Sequence, residues 1–207
     1  MARNKVISIN AHAEVKNKLL QAVGQVLASV GFNDCTAERV AQKAGVQQVN
    51  IERFFGDVQG LVSVYAESGE FWPPTSELFT ETDPQFEALS PEQHIAAFFK
   101  SLIRCLRRRP QTLDILAWEG VQRNELSQRL EDVRVRTALE YFEHLEGNIA
   151  EDIDLTAIVA LLAAAVMYLG VQSCTTRSFG GIDLHSDQGW HRIEQTITLL
   201  MQGSLTT

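Results

Sequence analysis

The stretch Thr36–Asp57, TAERVAQKAGVQQVNIERFFGD, constrains the fold more than any other part of the chain. Thr36 has the side chain of a helix N-cap, and Arg39 stands at the third position of the helix it opens. Val40, Ala41 and Ala44 follow at the spacing of one inward face. The small Ala41 and Ala44 let two helices cross closely, Gly45 supplies a tight turn, and Val46 plugs the core between them. Gln48 to Phe55 then reads as a further short helix, stopped by Gly56-Asp57. Two short helices meeting at a glycine turn predict a helix-turn-helix, whose second helix is shaped for a DNA major groove.

The rest of the chain carries the same 3.6-residue period, and no strand-like alternation persists. Upstream, EVKNKLLQAVGQVLASVG places Leu19, Leu20, Val23, Val26, Leu27 and Val30 on one stripe, with Gly31 as its stop. Gly24 inside that helix costs about 1 kcal/mol against alanine, which points to a close helix contact. A helix is expected from Val58 towards Phe71, ended before Pro73-Pro74. Ser90-Pro91-Glu92 opens another, which ends in Arg107-Arg108-Arg109, a basic cluster at the favoured end of the helix dipole. Further helices are expected over about 111–123, 125–148, 154–174 and 188–203. The expectation is an all-α protein of about nine helices, with a three-helix head over 1–57 and a helical-bundle body over 58–207.

Charge divides along the same line. Residues 1–60 hold seven Lys/Arg against five Asp/Glu, whereas the remainder holds eleven against twenty-one, within a net charge of −8. A mildly basic head on an acidic body lets the head alone approach a polyanion. Cys35, Cys105 and Cys174 are odd in number and lack a CxxC, which argues against a disulfide framework and fits a reducing cytoplasm. The five histidines form no metal-ligand pair, and His185 and His191 read as surface residues. No GxSxG, phosphate loop or paired catalytic set is present, so neither an enzyme nor a cofactor is expected. MARNKVISINAHAEV lacks the apolar core of a secretory signal. The run LTAIVALLAAAVMYLGV, Leu155 to Val171, sits at the lower edge of membrane-spanning length and is read as a buried helix.

The N-terminal third resembles the TetR family of one-component bacterial repressors. The resemblance rests on Gly31-Phe32 closing the first helix and on Thr36, Val40, Ala41, Ala44, Gly45 and Val46 in the family's spacing. It covers about 45 residues, and beyond residue 60 only the plan is similar. It implies a homodimer through the two last apolar helices, near 155–174 and 188–203, and a body that holds a small effector. It also exposes departures. Relatives carry Ser/Thr-Lys or similar where this chain has Gln47-Gln48, a phosphate-binding tyrosine where it has Glu52, and a lysine where it has Val58. A carboxylate about 6 Å from a phosphate costs ~0.7 kcal/mol at bulk dielectric and ~3 at an effective value of 20. Two phosphate-binding side chains are also missing, at ~1 kcal/mol each, so the deficit is roughly 3–5 kcal/mol. Specific sites are typically held about 4–10 kcal/mol more tightly than other DNA, so binding can survive it.

The residues expected to meet DNA are Thr36, Arg39, Gln47, Gln48, Val49, Asn50, Arg53 and Phe54. Glutamine and asparagine suit adenine and arginine suits guanine, while Thr36 at a helix N-terminus can hold a phosphate. Arg3 and Lys5 read as a basic arm, and Glu52 has Arg39 or Arg53 as prospective ion-pair partners, or a cytosine amine to accept from. In the body, Phe98, Leu102, Trp118, Tyr141, His144, Met167 and Tyr168 are candidate effector contacts. Each alone also fits plain core packing, and together they suit an apolar or aromatic ligand. The expected function is a ligand-responsive regulator, a repressor released by its effector, with double-stranded DNA as partner and no membrane. The alternative is a dimeric sensor or interaction module that keeps the head as scaffold and no longer binds DNA specifically.

Overall fold

The stripe Leu19, Val23, Val26 and Leu27 is buried, as its spacing demands, while Leu20 and Val30 lie at its margins. In this computed structural model residues 2–78, 89–142 and 154–204 are described, with side chains from 11 to 202. Helix α1 spans Ala2–Val30, starting well before the Glu14 expected. Residues 2–13 contain neither proline nor glycine, so nothing in them interrupts a helix already nucleated downstream. The chain divides into two compact units, Met1–Trp72 with Asp114–Arg134, and Pro73–Leu113 with Val135–Thr207.

In the first unit α1 packs on α2 (Ala37–Ala44), α3 (Val49–Phe55) and α4 (Val58–Glu67). Val40, Ile51, Leu61, Val62 and Tyr65 fill the core between them. Helix α4 stops at Glu67, short of the expected Phe71, because the Ser68 hydroxyl donates to Tyr65 O at 2.7 Å and Gly69 turns the chain at φ 79°. The segment 114–134 completes this unit. The Trp118 indole N–H donates to Ala28 O at 3.0 Å, and Gln122 Oε1 accepts from the N–H groups of Phe32 (2.7 Å) and Asn33 (3.1 Å). Gly31 permits this contact, since a Cβ there would lie 2.5 Å from Gln122 Oε1 and 2.8 Å from the Trp118 ring.

The second unit is built on α6 (Pro91–Arg107), which packs against α5 (Thr75–Leu78), α9 (Leu155–Thr175) and α10 (Asp187–Ser204). Ser90 caps α6 as the sequence suggested, and Gln93 completes a reciprocal cap with it. Arginines in α6 and just beyond it are held by acids: Arg104 by Glu194 (2.8 and 3.2 Å), Arg107 by Asp187 (2.7 Å) and Arg109 by Glu77 (2.5 and 2.8 Å). The guanidinium of Arg109 keeps the Glu77 carboxyl below its ordinary range. The unit division falls inside α7 (Pro110–Glu119) and α8 (Glu125–Phe142).

The described residues contain ten helices rather than about nine, the single turn α5 lying in the segment read as a linker. Between α9 and α10, β1 (Ser178–Phe179) pairs antiparallel with β2 (Ile182–Asp183) across Gly180-Gly181, whose φ values of 57° and 78° suit a tight hairpin. Two-residue strands are too short to show alternation. Helix α9 corrects an expectation. Its buried residues are Val166 and Gly170, while Leu161 is 72% and Tyr168 52% exposed, so within one chain it is largely bare. By length and composition alone α9 is apolar enough to cross a membrane.

Candidate functional site

The helix-turn-helix is assembled from local caps. The Thr36 hydroxyl accepts the Arg39 N–H at 3.3 Å and opens α2. Gly45, at φ 65°, closes it by donating towards Ala41 and Gln42 carbonyls, and Val46 N–H returns to Ala41 O at 3.1 Å. Ala44 and Val46 are half-buried, so Val40, Ala41 and Ile51 carry most of the inward face. Asn50 Nδ2 donates to Gln47 O at 3.1 Å, bracing the first turn of α3. Asp57 caps α4 through Gly60 N–H at 2.7 Å. No side chain larger than hydrogen fits at Gly60, because a Cβ there would lie 2.0 Å from Phe55 O.

With Ile51 turned inward, α3 presents Val49, Glu52 and Arg53 outward. Thr36, Arg39, Gln47, Gln48, Val49 and Arg53 are exposed, and Asn50 and Phe54 half-exposed. All eight expected DNA-facing residues therefore remain accessible on the helix pair. Glu52 is exposed as well, and it pairs with neither arginine expected for it: Arg39 lies 4.0 Å from Asp34, and Arg53 sits over the Phe54 ring at 5.4 Å. Sequence gave no sign of two neighbours of Phe54, His12 (ring centroids 5.6 Å apart) and Lys16 (Nζ 5.3 Å from the ring). Helical register alone says nothing about which α1 residues approach α3. Arg3 and Lys5 lie on the helical backbone of α1.

The body candidates do not converge on one place. Phe98, Leu102 and Tyr141 are buried in the second unit, where Phe98 lies 4.7 Å from Tyr141 and 4.8 Å from Phe142 between ring centroids. The Tyr141 hydroxyl donates to His94 O at 2.8 Å, and burial raises its pKa. Met167 is half-buried, and Tyr168 stands exposed against Phe179 (5.5 Å). Trp118 belongs to the first unit and is occupied in packing on Gly31, a role its sequence neighbours gave no sign of. His144 lies outside the described residues. Open grooves of about 560 and 440 Å³ run along α6 and α10, the first lined by Lys100, Arg104, His191, Glu194, Gln195, Thr198 and Leu199. None of the expected effector residues lines either groove. Among the described residues no His, Cys, Asp and Glu group gathers at metal-binding distance. Burial pushes the Cys35 thiol up to about 12 and raises Cys105 as well, which leaves both poor nucleophiles.

No family model matches this chain, and no curated protein matches it in sequence. Solved structures do match its fold. A TetR-like transcriptional regulator from Rhodococcus sp. RHA1 aligns with TM-score 0.64 at 15% identity, over 91% of this chain and 96% of that one. The fatty acid degradation regulator FadR from Bacillus halodurans aligns with TM-score 0.64 at 15% identity, over 92% and 99%. FadR from Bacillus subtilis, solved in complex with stearoyl-CoA, gives TM-score 0.64 at 12% identity, over 91% and 98%. The chain has the all-α fold of TetR-like transcriptional regulators, from head through body.

Proposed function

We propose that this chain is a homodimeric, ligand-responsive DNA-binding transcriptional regulator, a repressor released by a small apolar or aromatic effector. The single observation that carries the reading is the accessible set Gln47, Gln48, Val49, Asn50, Arg53 and Phe54 on a helix anchored inward by Ile51. Thr36 and Arg39 stand on the same helix pair, suited to the phosphate backbone. Each α3 would enter a major groove, with half-sites one turn (~34 Å) or a multiple apart. The bare faces of α9 and α10, with Leu161 at 72%, Leu199 at 67% and Leu200 at 54% exposure, support a second copy as their cover. The aromatic cluster around Phe98 and Tyr141 supports an apolar effector, as does the stearoyl-CoA held by the structurally similar Bacillus subtilis regulator. The effector would favour the dimer geometry whose heads no longer match the half-site spacing, so DNA affinity falls by population shift. Selection of bound sequences from random DNA at two salt concentrations tests the reading. A recovered inverted repeat supports it, and purified protein that enriches no sequence even at low salt defeats it.

One observation favours a second reading. Glu52 stands exposed with neither Arg39 nor Arg53 paired to it, a charge aimed where relatives bind phosphate. On that basis the head would be scaffold in a dimeric sensor or interaction module. The double change Glu52→Tyr with Val58→Lys separates the two. A regulator gains affinity for its operator, by roughly 3–5 kcal/mol for two phosphate partners restored and one repulsion removed. A scaffold still shows no specific binding.

A further inference from the structure

We infer that Lys16 of the first helix is a phosphate-contacting residue of the DNA interface, positioned for that role by Phe54 of α3. Resting on the regulator reading above, the inference supplies a source of backbone grip outside the recognition helix. Lys16 Nζ lies 5.3 Å from the Phe54 ring centroid, and the Arg53 guanidinium carbon lies 5.4 Å from the same centroid. His12 approaches the ring as well, at 5.6 Å between centroids and an interplanar angle of 60°. Phe54 is half-buried and touches the rings of His12 and Phe55, whereas Lys16 and Arg53 are exposed.

An aromatic ring attracts a cation through its quadrupole and cannot neutralise it. The ring thus gathers two cations from different helices, α1 and α3, without pairing either, which leaves a positive patch suited to an anion. Neither Lys16 nor Arg53 has an ion-pair partner among the described residues. Glu14, the nearest carboxylate along α1, is engaged one turn on by Lys18 at 2.7 Å. A position two residues away on a helix does not face Lys16 in any case. The ring belongs to the helix whose outward residues are offered to the bases. A duplex seated on Gln48, Asn50 and Arg53 thus brings its backbone to the rim where Lys16 waits. The fold places this cation beside the recognition helix of a chain that lacks the expected phosphate contacts at Glu52 and Val58.

The test uses full-length protein and a short random-sequence DNA duplex, titrated at ~50 and ~200 mM salt. Each phosphate contact contributes about 0.9 to the slope of log affinity against log salt, so losing one shrinks the affinity drop across that range by about 3.5-fold. Lys16→Gln is expected to show that change, Lys16→Arg to retain the parental slope, and Lys100→Gln, which removes the same charge from the second unit, to leave it unchanged. Circular dichroism melts confirm that the variants stay folded. An unaltered slope in Lys16→Gln, with a reduced one in Arg39→Gln, overturns the inference and leaves the regulator reading standing. An equal loss in Lys16→Gln and Lys16→Arg overturns it too, since shape rather than charge would then be at issue. Parental protein that binds no duplex at either salt overturns both.

Discussion

Glu119 and Arg134 form an ion pair inside the first unit whose two members should respond very differently to removal. Their side chains are 9% and 12% exposed, and Arg134 Nη1 approaches Glu119 Oε2 at 2.7 Å without the alignment of a hydrogen bond. Glu119 Oε1 has no hydrogen-bond partner among the described residues, whereas the Arg134 guanidinium also lies over the Trp72 ring at 5.8 Å. Burial is the foremost influence on Glu119 and lifts its pKa, more than the attraction of Arg134 lowers it. A carboxyl whose folded pKa is raised contributes stability fully below the ordinary carboxylate range and loses it as pH rises through the folded value. Burial thus works against the charged form, and Glu119→Gln, a neutral side chain of the same shape, should change stability by less than about 1 kcal/mol. Arg134→Met instead strands a buried carboxylate and should cost about 3–5 kcal/mol. At an m-value of about 2 kcal/mol per molar urea, that lowers the midpoint by roughly 2 M. The penalty of Arg134→Met should shrink at pH 5, where the stranded carboxyl can take up a proton. Glu119→Leu with Arg134→Met should recover most of the loss. Urea unfolding of the four proteins at both pH values decides the matter. Equal losses in Glu119→Gln and Arg134→Met would show that attraction outweighs desolvation and refute the reasoning.

Three further outcomes are expected. Gly60→Ala should destabilise the head by at least ~2 kcal/mol in urea, because its Cβ would overlap Phe55 O and the turn must open to admit it. Tyr141→Phe should cost about 1 kcal/mol in thermal or urea unfolding, since the bond to His94 O disappears while the ring packing remains. Leu161→Glu with Leu199→Glu should leave the fold intact by circular dichroism and yield a monomer by sedimentation in detergent-free buffer. A dimer that persists in that variant would place the interface elsewhere.

The head was legible in the sequence because its signals are local. Thr36 meets Arg39 and Gly45 meets Ala41, each within one turn, so residue type and spacing suffice. The cap at Ser90 was legible for the same reason. What escaped depends on partners far along the chain. Trp118 reads as an apolar residue on an amphipathic helix, and only the tertiary structure reveals that it donates to Ala28. The proximity of Lys16 to Phe54 is likewise set by how α1 crosses α3. The one-turn α5 and the hairpin at 178–183 are too short for any period to register. Helix α9 misled in the opposite sense: its composition says that it avoids water, and composition cannot say which surface shields it.

The docking of Gln122 on the Phe32 and Asn33 amides carries a warning for anyone wishing to graft this reader elsewhere. A fragment cut at Trp72 would leave those donors and the floor beneath Gly31 uncovered, so a transplant must carry residues 114–134 with it. By the same token, substitutions near Gln122 should unsettle the head from a distance of some ninety positions along the chain.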